Sequence, residues 1–203
     1  MAEKTFGLRL KWLGCACFEM DFGGVTIVND PWITPNPNTE LDWEAVEKCD
    51  YITVTHGHYD HTGAVVELAE YYGGIPAYLH ENDAARTKIP FSLMPDIGET
   101  VHYGEGDEIA VGNLTVHVYH TPGHSSGSVV LECEDVLFTG DTLFQGSCGR
   151  TDLPGGSMDE ILISLKRLAE MEGDRKVYPG HEGFSNLDAE RKGNYYMLLG
   201  MKQ

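Results

Sequence analysis

With 203 residues, 41% of them hydrophobic and 10% aromatic, the chain can bury one substantial core, which excludes a disordered or fibrous protein and leaves too little for two ordinary domains. Thirty-two Asp+Glu against 14 Lys+Arg give a formal net charge of -18, and the basic clusters are as short as Lys166-Arg167 and Arg191-Lys192. Neutralising phosphates takes a basic stripe, so nucleic acid is not expected as a partner.

In chain order, Leu8 to Leu13 and Cys17 to Phe22 alternate like paired strands, and Gly23-Gly24 turns the chain into a third strand, Val25 to Val28. The segment Ile33 to Thr39, broken by prolines and asparagines, reads as a loop, and Asp42 to Lys48 as a short helix. Tyr51 to Thr55 is a β-branched buried strand, followed by Val65, Leu68, Ala69 and Tyr72 at helical spacing. A short strand at Ala77 to Leu79 precedes a long irregular stretch through Pro95 and Gly98, then a hairpin pairs Glu108 to Val111 with Leu114 to His120. Strands at Ser128 to Cys133 and Val136 to Thr139 meet at Glu134-Asp135. The clearest helix runs from Ser157 to Met171, where Ser157 and Glu160 make a capping box, and Lys176 to Tyr178 is a last strand. A single β-rich α/β domain over residues 1–203 is expected.

No stretch is apolar enough to span a bilayer, and Met1-Ala2-Glu3-Lys4-Thr5 has neither the basic nor the apolar part of a secretory signal, so a cytoplasmic protein without a membrane partner is expected. The five cysteines, Cys15, Cys17, Cys49, Cys133 and Cys148, form no Cys-x-x-Cys pair and read as free thiols in a reducing compartment.

The chemistry concentrates where strands end. His56-Gly57-His58-Tyr59-Asp60-His61 joins a strand to a helix and puts three imidazoles and a carboxylate into six residues. A strand sends alternate side chains to one face, which lets His56 and His58 point together, while Asp60 and His61 lie beyond the bend. Nitrogen and oxygen donors of this kind suit zinc, iron or manganese. Three further candidates, His124, Asp141 and His181, each follow an apolar strand beside turn-forming residues, the position where α/β folds assemble sites.

These motifs resemble the metallo-β-lactamase superfamily, whose His-x-His-x-Asp-His is matched by residues 56–61 and whose later His, Asp and His are matched by His124, Asp141 and His181. Thr121 to Ser125, Gly140 to Phe144 and Gly149 to Gly156 are similar to the glyoxalase II-like (hydroxyacylglutathione hydrolase-like) branch. The resemblance implies a four-layer αβ/βα sandwich with two central, mostly antiparallel sheets. It implies two divalent metal ions, zinc first, with iron or manganese as alternatives. One would be held by His56, His58 and His124, the other by Asp60, His61 and His181, with Asp141 between them.

The implied reaction is hydrolysis of a small-molecule thioester such as an S-acylglutathione, by attack of a hydroxide held between the ions, with Asp60 as the group that orients it. Arg150 is the candidate to bind a substrate carboxylate, because its fork matches that geometry; pairing with Asp152 is the competing reading. A lactonase would share every ligand, and persulfide dioxygenases, which use one iron, keep a similar motif; both stay open as alternatives. Trp12 to Phe18 is similar to the opening of phosphorylated-lactone hydrolases, with Cys15 where they usually have His. Asp30-Pro31 matches the superfamily's usual Asp-Pro, which implies a carboxylate behind a ligand histidine, and Trp32 is a candidate for the mouth of the site.

Overall fold

The computed structural model describes residues 7–33, 36–37, 39–87 and 93–203. Thr34, Pro35 and Asn38 of the proline-rich loop, the N-terminal pentapeptide, and 88–92 of the stretch read as irregular lie outside them. The first sheet contains β1 (Arg9–Gly14), β2 (Cys17–Asp21), β3 (Thr26–Asn29), β4 (Tyr51–Thr53), β5 (Ala77–Leu79) and β6 (Thr100–His102), side by side in that order. Its first three strands pair antiparallel, and from β3 to β6 the pairing is parallel. The second sheet runs β14 (Ser185–Asn186), β13 (Lys176–Pro179), β10 (Val136–Gly140), β9 (Val129–Cys133), β8 (Leu114–His120) and β7 (Glu108–Val111). It is antiparallel except between β10 and β13. A small hairpin, β11 (Leu143–Phe144) with β12 (Ser147–Cys148), follows β10.

Alternation along the strands builds the layers. Phe18, Met20 and Ile27 of the first sheet meet Val116, Val118, Leu131 and Phe138 of the second in a core between the sheets. The opposite face of the first sheet, with Val28 and Ile52, buries against Val65 and Leu68 of α2 (Val65–Tyr71). The opposite face of the second, with Val130, Leu137 and Val177, buries against α4 (Met158–Ala169) and α6 (Tyr195–Gly200). Since β9 and β10 are covered on both faces, every residue in them is buried, as their near-continuous apolar runs require. The result is helix, sheet, sheet, helix, with α5 (Leu187–Gly193) beside α6. No helix is long and apolar enough to cross a membrane among the described residues.

Helix α4 repeats Ile161, Leu165 and Leu168 on its buried side, each contributing roughly 1.5–3 kcal/mol of burial. Ser157 caps it, accepting a hydrogen bond from the Glu160 amide at 3.3 Å. Ser157→Ala is expected to cost about 1 kcal/mol, read as a melting temperature lower by roughly 2–4 °C; an unchanged melt would show the cap to be idle.

Three expectations need correction. Asp42 to Lys48 makes only a 3-10 turn over Trp43–Ala45, because Val46 turns extended to bury its side chain beside Cys49. The stretch after β5 is not irregular throughout: it contains α3 (Glu81–Thr87) and β6. The His-rich loop also contains one helical turn, α1 (Tyr59–Thr62).

Candidate metal centre

All seven residues singled out in the sequence come to one end of the two sheets. His56 and His58 follow β4, and α1 presents Asp60 and His61. His124 follows β8, Asp141 follows β10 and His181 follows β13. Their donor atoms fall into three overlapping groups: His56, His58 and His124; His56, Asp60 and His61; and His61, Asp141 and His181.

The first group is held by backbone on one side. Nδ1 of His124 lies 2.8 Å from the Arg150 carbonyl and donates to it, which leaves a lone pair on Nε2. Toward that lone pair point Nδ1 of His58 at 2.9 Å and Nε2 of His56 at 3.2 Å. Burial, then the neighbouring His124 ring, push the His58 pKa down to about 4, and burial followed by His61 and His124 depresses that of His56 well below the usual range. Both rings are therefore neutral at pH 7, the form in which imidazole binds a cation.

The other residues gather around carboxylates. His61 is fully buried between Asp30, whose Oδ2 is 3.0 Å from Nδ1, and Asp141, whose Oδ1 is 3.2 Å from Nε2. Burial opposes a charge on His61, but the two carboxylates outweigh it and raise its pKa well above the ordinary value. Asp141 Oδ2 lies 3.4 Å from His124 and 3.5 Å from His181, so this one side chain touches histidines of both sides. Burial works to raise the Asp141 pKa, yet His61 and the other rings hold it below the carboxylate range. Nε2 of His181 sits 3.2 Å from Asp60. The hydrogen bond to Asp60, and secondarily that to Cys15 Sγ, raises the His181 pKa to about 10. In turn His181 and His61 overcome the burial of Asp60 and keep its carboxyl far below the usual range.

Both ring nitrogens of His61 and Oδ1 of Asp141 are buried without an aligned hydrogen-bond partner, although the charges lie close. Buried polar atoms left in that state call for an occupant. Converging lone pairs, orphaned donors and a shared carboxylate fit divalent cations, with His and Asp as borderline-to-hard ligands.

Asp30 occupies a left-handed conformation with φ 47° after β3, and its carboxylate accepts from the amide and hydroxyl of Thr55 at 2.6 and 2.7 Å. It thereby pins the start of the His56 loop as well as His61. Cys15 Sγ lies 3.5 Å from Nδ1 of His181, on the side away from the cluster. The residue that sequence reading missed is Asp83 on α3, fully buried and bonded to the loops of His58 and His124.

A cavity of about 580 Å³ opens over the cluster, with Asp60, Asp141 and His181 on its floor and Tyr59, Phe144 and Arg150 around it. Arg150 gives both arms of its fork to Asp152, at 2.7 and 2.8 Å, and the pair is exposed to solvent. Trp32 packs edge-on against Tyr59, ring centres 6.3 Å apart, and so lies behind the cavity wall. Burial raises the Cys148 thiol to about 11, so this cavity residue stays protonated at pH 7. His80 and His120 stack on each other, and His117 pairs with Glu108, all outside the cluster.

Sheets stacked face to face, helices outside them and a His/Asp cluster at the strand ends make an αβ/βα sandwich with a candidate metal centre at one end. The profile of the metallo-beta-lactamase superfamily matches residues 11–181, and the chain belongs to that superfamily. An uncharacterized protein of Aquifex aeolicus is 36% identical over 195 residues, 90% of each chain. The "Probable metallo-hydrolase YqgX" of Bacillus subtilis is 35% identical over 158 residues, 72% of this chain and 74% of that one. The hydroxyacylglutathione hydrolase of Gloeobacter violaceus is 39% identical over 130 residues, 63% of this chain but 47% of the relative. Among solved structures, BLEG-1 B3 metallo-beta-lactamase superposes with a TM-score of 0.74 at 27% identity, covering 94% of this chain and 99% of that one. TTHA1623 in a di-iron-bound form gives 0.66 at 30% identity, covering 85% and 88%.

Proposed function

We propose that this chain is a dinuclear hydrolase of thioesters, with S-acylglutathiones as the first substrates to test. The observation that carries the reading is Asp141, a buried carboxylate within 3.5 Å of His61, His124 and His181 and so in reach of histidines on both sides of the cluster. His56, His58 and His124 would hold one ion, Asp60, His61 and His181 the second, and Asp141 both. A similar chain that binds two irons and a similar chain named for glutathione thioester hydrolysis support the choice. Two such ions, when bound, supply Lewis acidity and a water acidic enough to give hydroxide at neutral pH.

The chain's own groups do the rest. Asp60 faces the cavity and, as an acceptor only, takes a hydrogen bond from the attacking water and so aims its lone pair. Asp30, behind His61, and the Arg150 carbonyl, behind His124, hold the two rings with Nε2 toward Asp141. A thiol leaving group, with a parent pKa of about 8.5, departs without a strong acid. Arg150 meets a substrate carboxylate only by exchanging Asp152 for it.

The test is elemental analysis of protein purified without added metal, with S-lactoylglutathione hydrolysis and a melting curve measured on the same sample. The expected result is about two ions per chain, turnover that a chelator abolishes, and a lower melting temperature after chelation, since an ion bound only to the folded chain stabilises it. One iron per chain, no hydrolysis, and oxygen uptake on a persulfide would overturn the reading.

A further inference from the structure

We infer that Asp83 is a positioning residue of the metal centre: a single buried carboxylate that fastens the loop of His56 and His58 to the loop of His124. The inference rests on the dinuclear reading above. The two loops belong to different sheets, one following β4 and the other β8. Asp83, with no exposed surface, reaches both. Its Oδ2 accepts the amide of Gly57, the residue between His56 and His58, at 3.0 Å, and the hydroxyl of Ser125, the residue after His124, at 2.7 Å. Its Oδ1 accepts the amide of Gly127 at 2.8 Å.

These donors are two backbone amides and a hydroxyl, none of them a cation. Burying a carboxyl group on neutral donors is costly unless each bond is well made, so the arrangement demands a close fit. The chain provides it. A Cβ at Gly127 would stand 2.6 Å from Asp83 Cγ, and one at Gly57 would stand 3.4 Å from Asp83 Cβ and 2.9 Å from Met94 Sδ. Helix α3 is anchored in turn, because the amides of Asp83 and Ala84 both donate to the His80 carbonyl, at 3.1 and 3.0 Å. Ser128 Oγ accepts the Ser125 amide at 3.1 Å and lies 2.8 Å from Ser125 Oγ, extending the brace along the His124 loop. The 2.9 Å approach of His58 to His124 is thus set by a residue that touches neither ring.

Partners that orient ligands in this way are worth about 10–100-fold in metal affinity. The full-length chain and its Asp83→Asn variant are to be titrated with zinc against a chromophoric chelator, with melting curves recorded alongside. Asparagine keeps the volume but turns an amino group toward one of the three donors. The expected result is that one of the two ions weakens about 10–100-fold while the other keeps its affinity, and that Asp83→Asn removes no further metal once His124→Ala has been made. Ser125→Ala, which deletes one hydroxyl, is expected to weaken the same ion about fivefold, the worth of one hydrogen bond, and carries the test if Asp83→Asn fails to fold. A lower melting temperature with both affinities unchanged, or an equal loss of both ions, would overturn the role. A parent chain that takes up no ion overturns the dinuclear reading and this inference with it, whereas two tight ions in parent and variants alike overturn this inference alone.

Discussion

Asp141→Ala is expected to leave the purified chain with fewer than one ion and to lower kcat/KM by about 10³-fold, equivalent to about 4 kcal/mol of transition-state stabilisation. The size follows from position. Asp141 is the carboxylate that touches His61, His124 and His181 together, at 3.2, 3.4 and 3.5 Å. Its removal leaves the buried His61 with one anionic neighbour, Asp30, and takes away the carboxylate that lies between His124 on one side and His61 and His181 on the other. Elemental analysis after desalting and steady-state kinetics check it, with Asp141→Asn as a variant of equal volume that should fold and still lose metal. Two tightly held ions and the parent rate in Asp141→Ala would remove the shared carboxylate from the account.

A second large effect is expected at a residue that has no side chain to offer. Gly123 has φ +136°, and a Cβ there would lie 2.3–2.4 Å from the backbone nitrogen, Cα and Cβ of Ile161 in the first turns of α4. Its carbonyl also accepts the amide of Ser157, the helix cap, at 2.8 Å. Gly123→Ala therefore forces a strained backbone and an overlap that only a shift of the helix relieves. Together these cost about 3 kcal/mol or more, or a melting temperature lower by roughly 6–12 °C. Because His124 is the next residue, metal content should fall with stability. A melt within about 2 °C of the parent would show that α4 yields more easily than its packing implies.

The strands were legible because their alternation is physical: one face of each central strand meets the other sheet and the second meets helices, and turn residues such as Gly23-Gly24 and Gly112-Asn113 stand between the runs. Helix α3 was illegible for the complementary reason. Its buried residues are Asp83, Ala84 and Thr87, so no apolar period marks its inner face. The turn at Trp43–Ala45 failed to become a helix because it buries none of its own residues, and the chain leaves it to deliver Val46 to the core. The turn to parallel pairing after β3 is likewise set by crossover connections, whose direction short strands do not encode.

The donor cluster was readable for a different reason. Four of the seven residues lie within 56–61, and the other three each follow a strand whose apolar run is plain, so direction of chain alone brings them to one end. Asp30 could be anticipated from its Asp-Pro signature and does face His61. Asp83 could not, since a carboxylate in a polar heptapeptide looks like a solvated helix face until its three donors are seen.

The chain reversals at Gly23-Gly24, Gly112-Asn113 and Glu134-Asp135 all lie at the end of the strands away from the His/Asp cluster, because β3, β8 and β10 each begin there and run toward it. This divides the molecule into a reactive pole and a pole that is free for engineering. A dye, an affinity handle or a fused partner inserted between Glu134 and Asp135 would ride on the far side of the sandwich, separated from the chemistry by the full length of the strands.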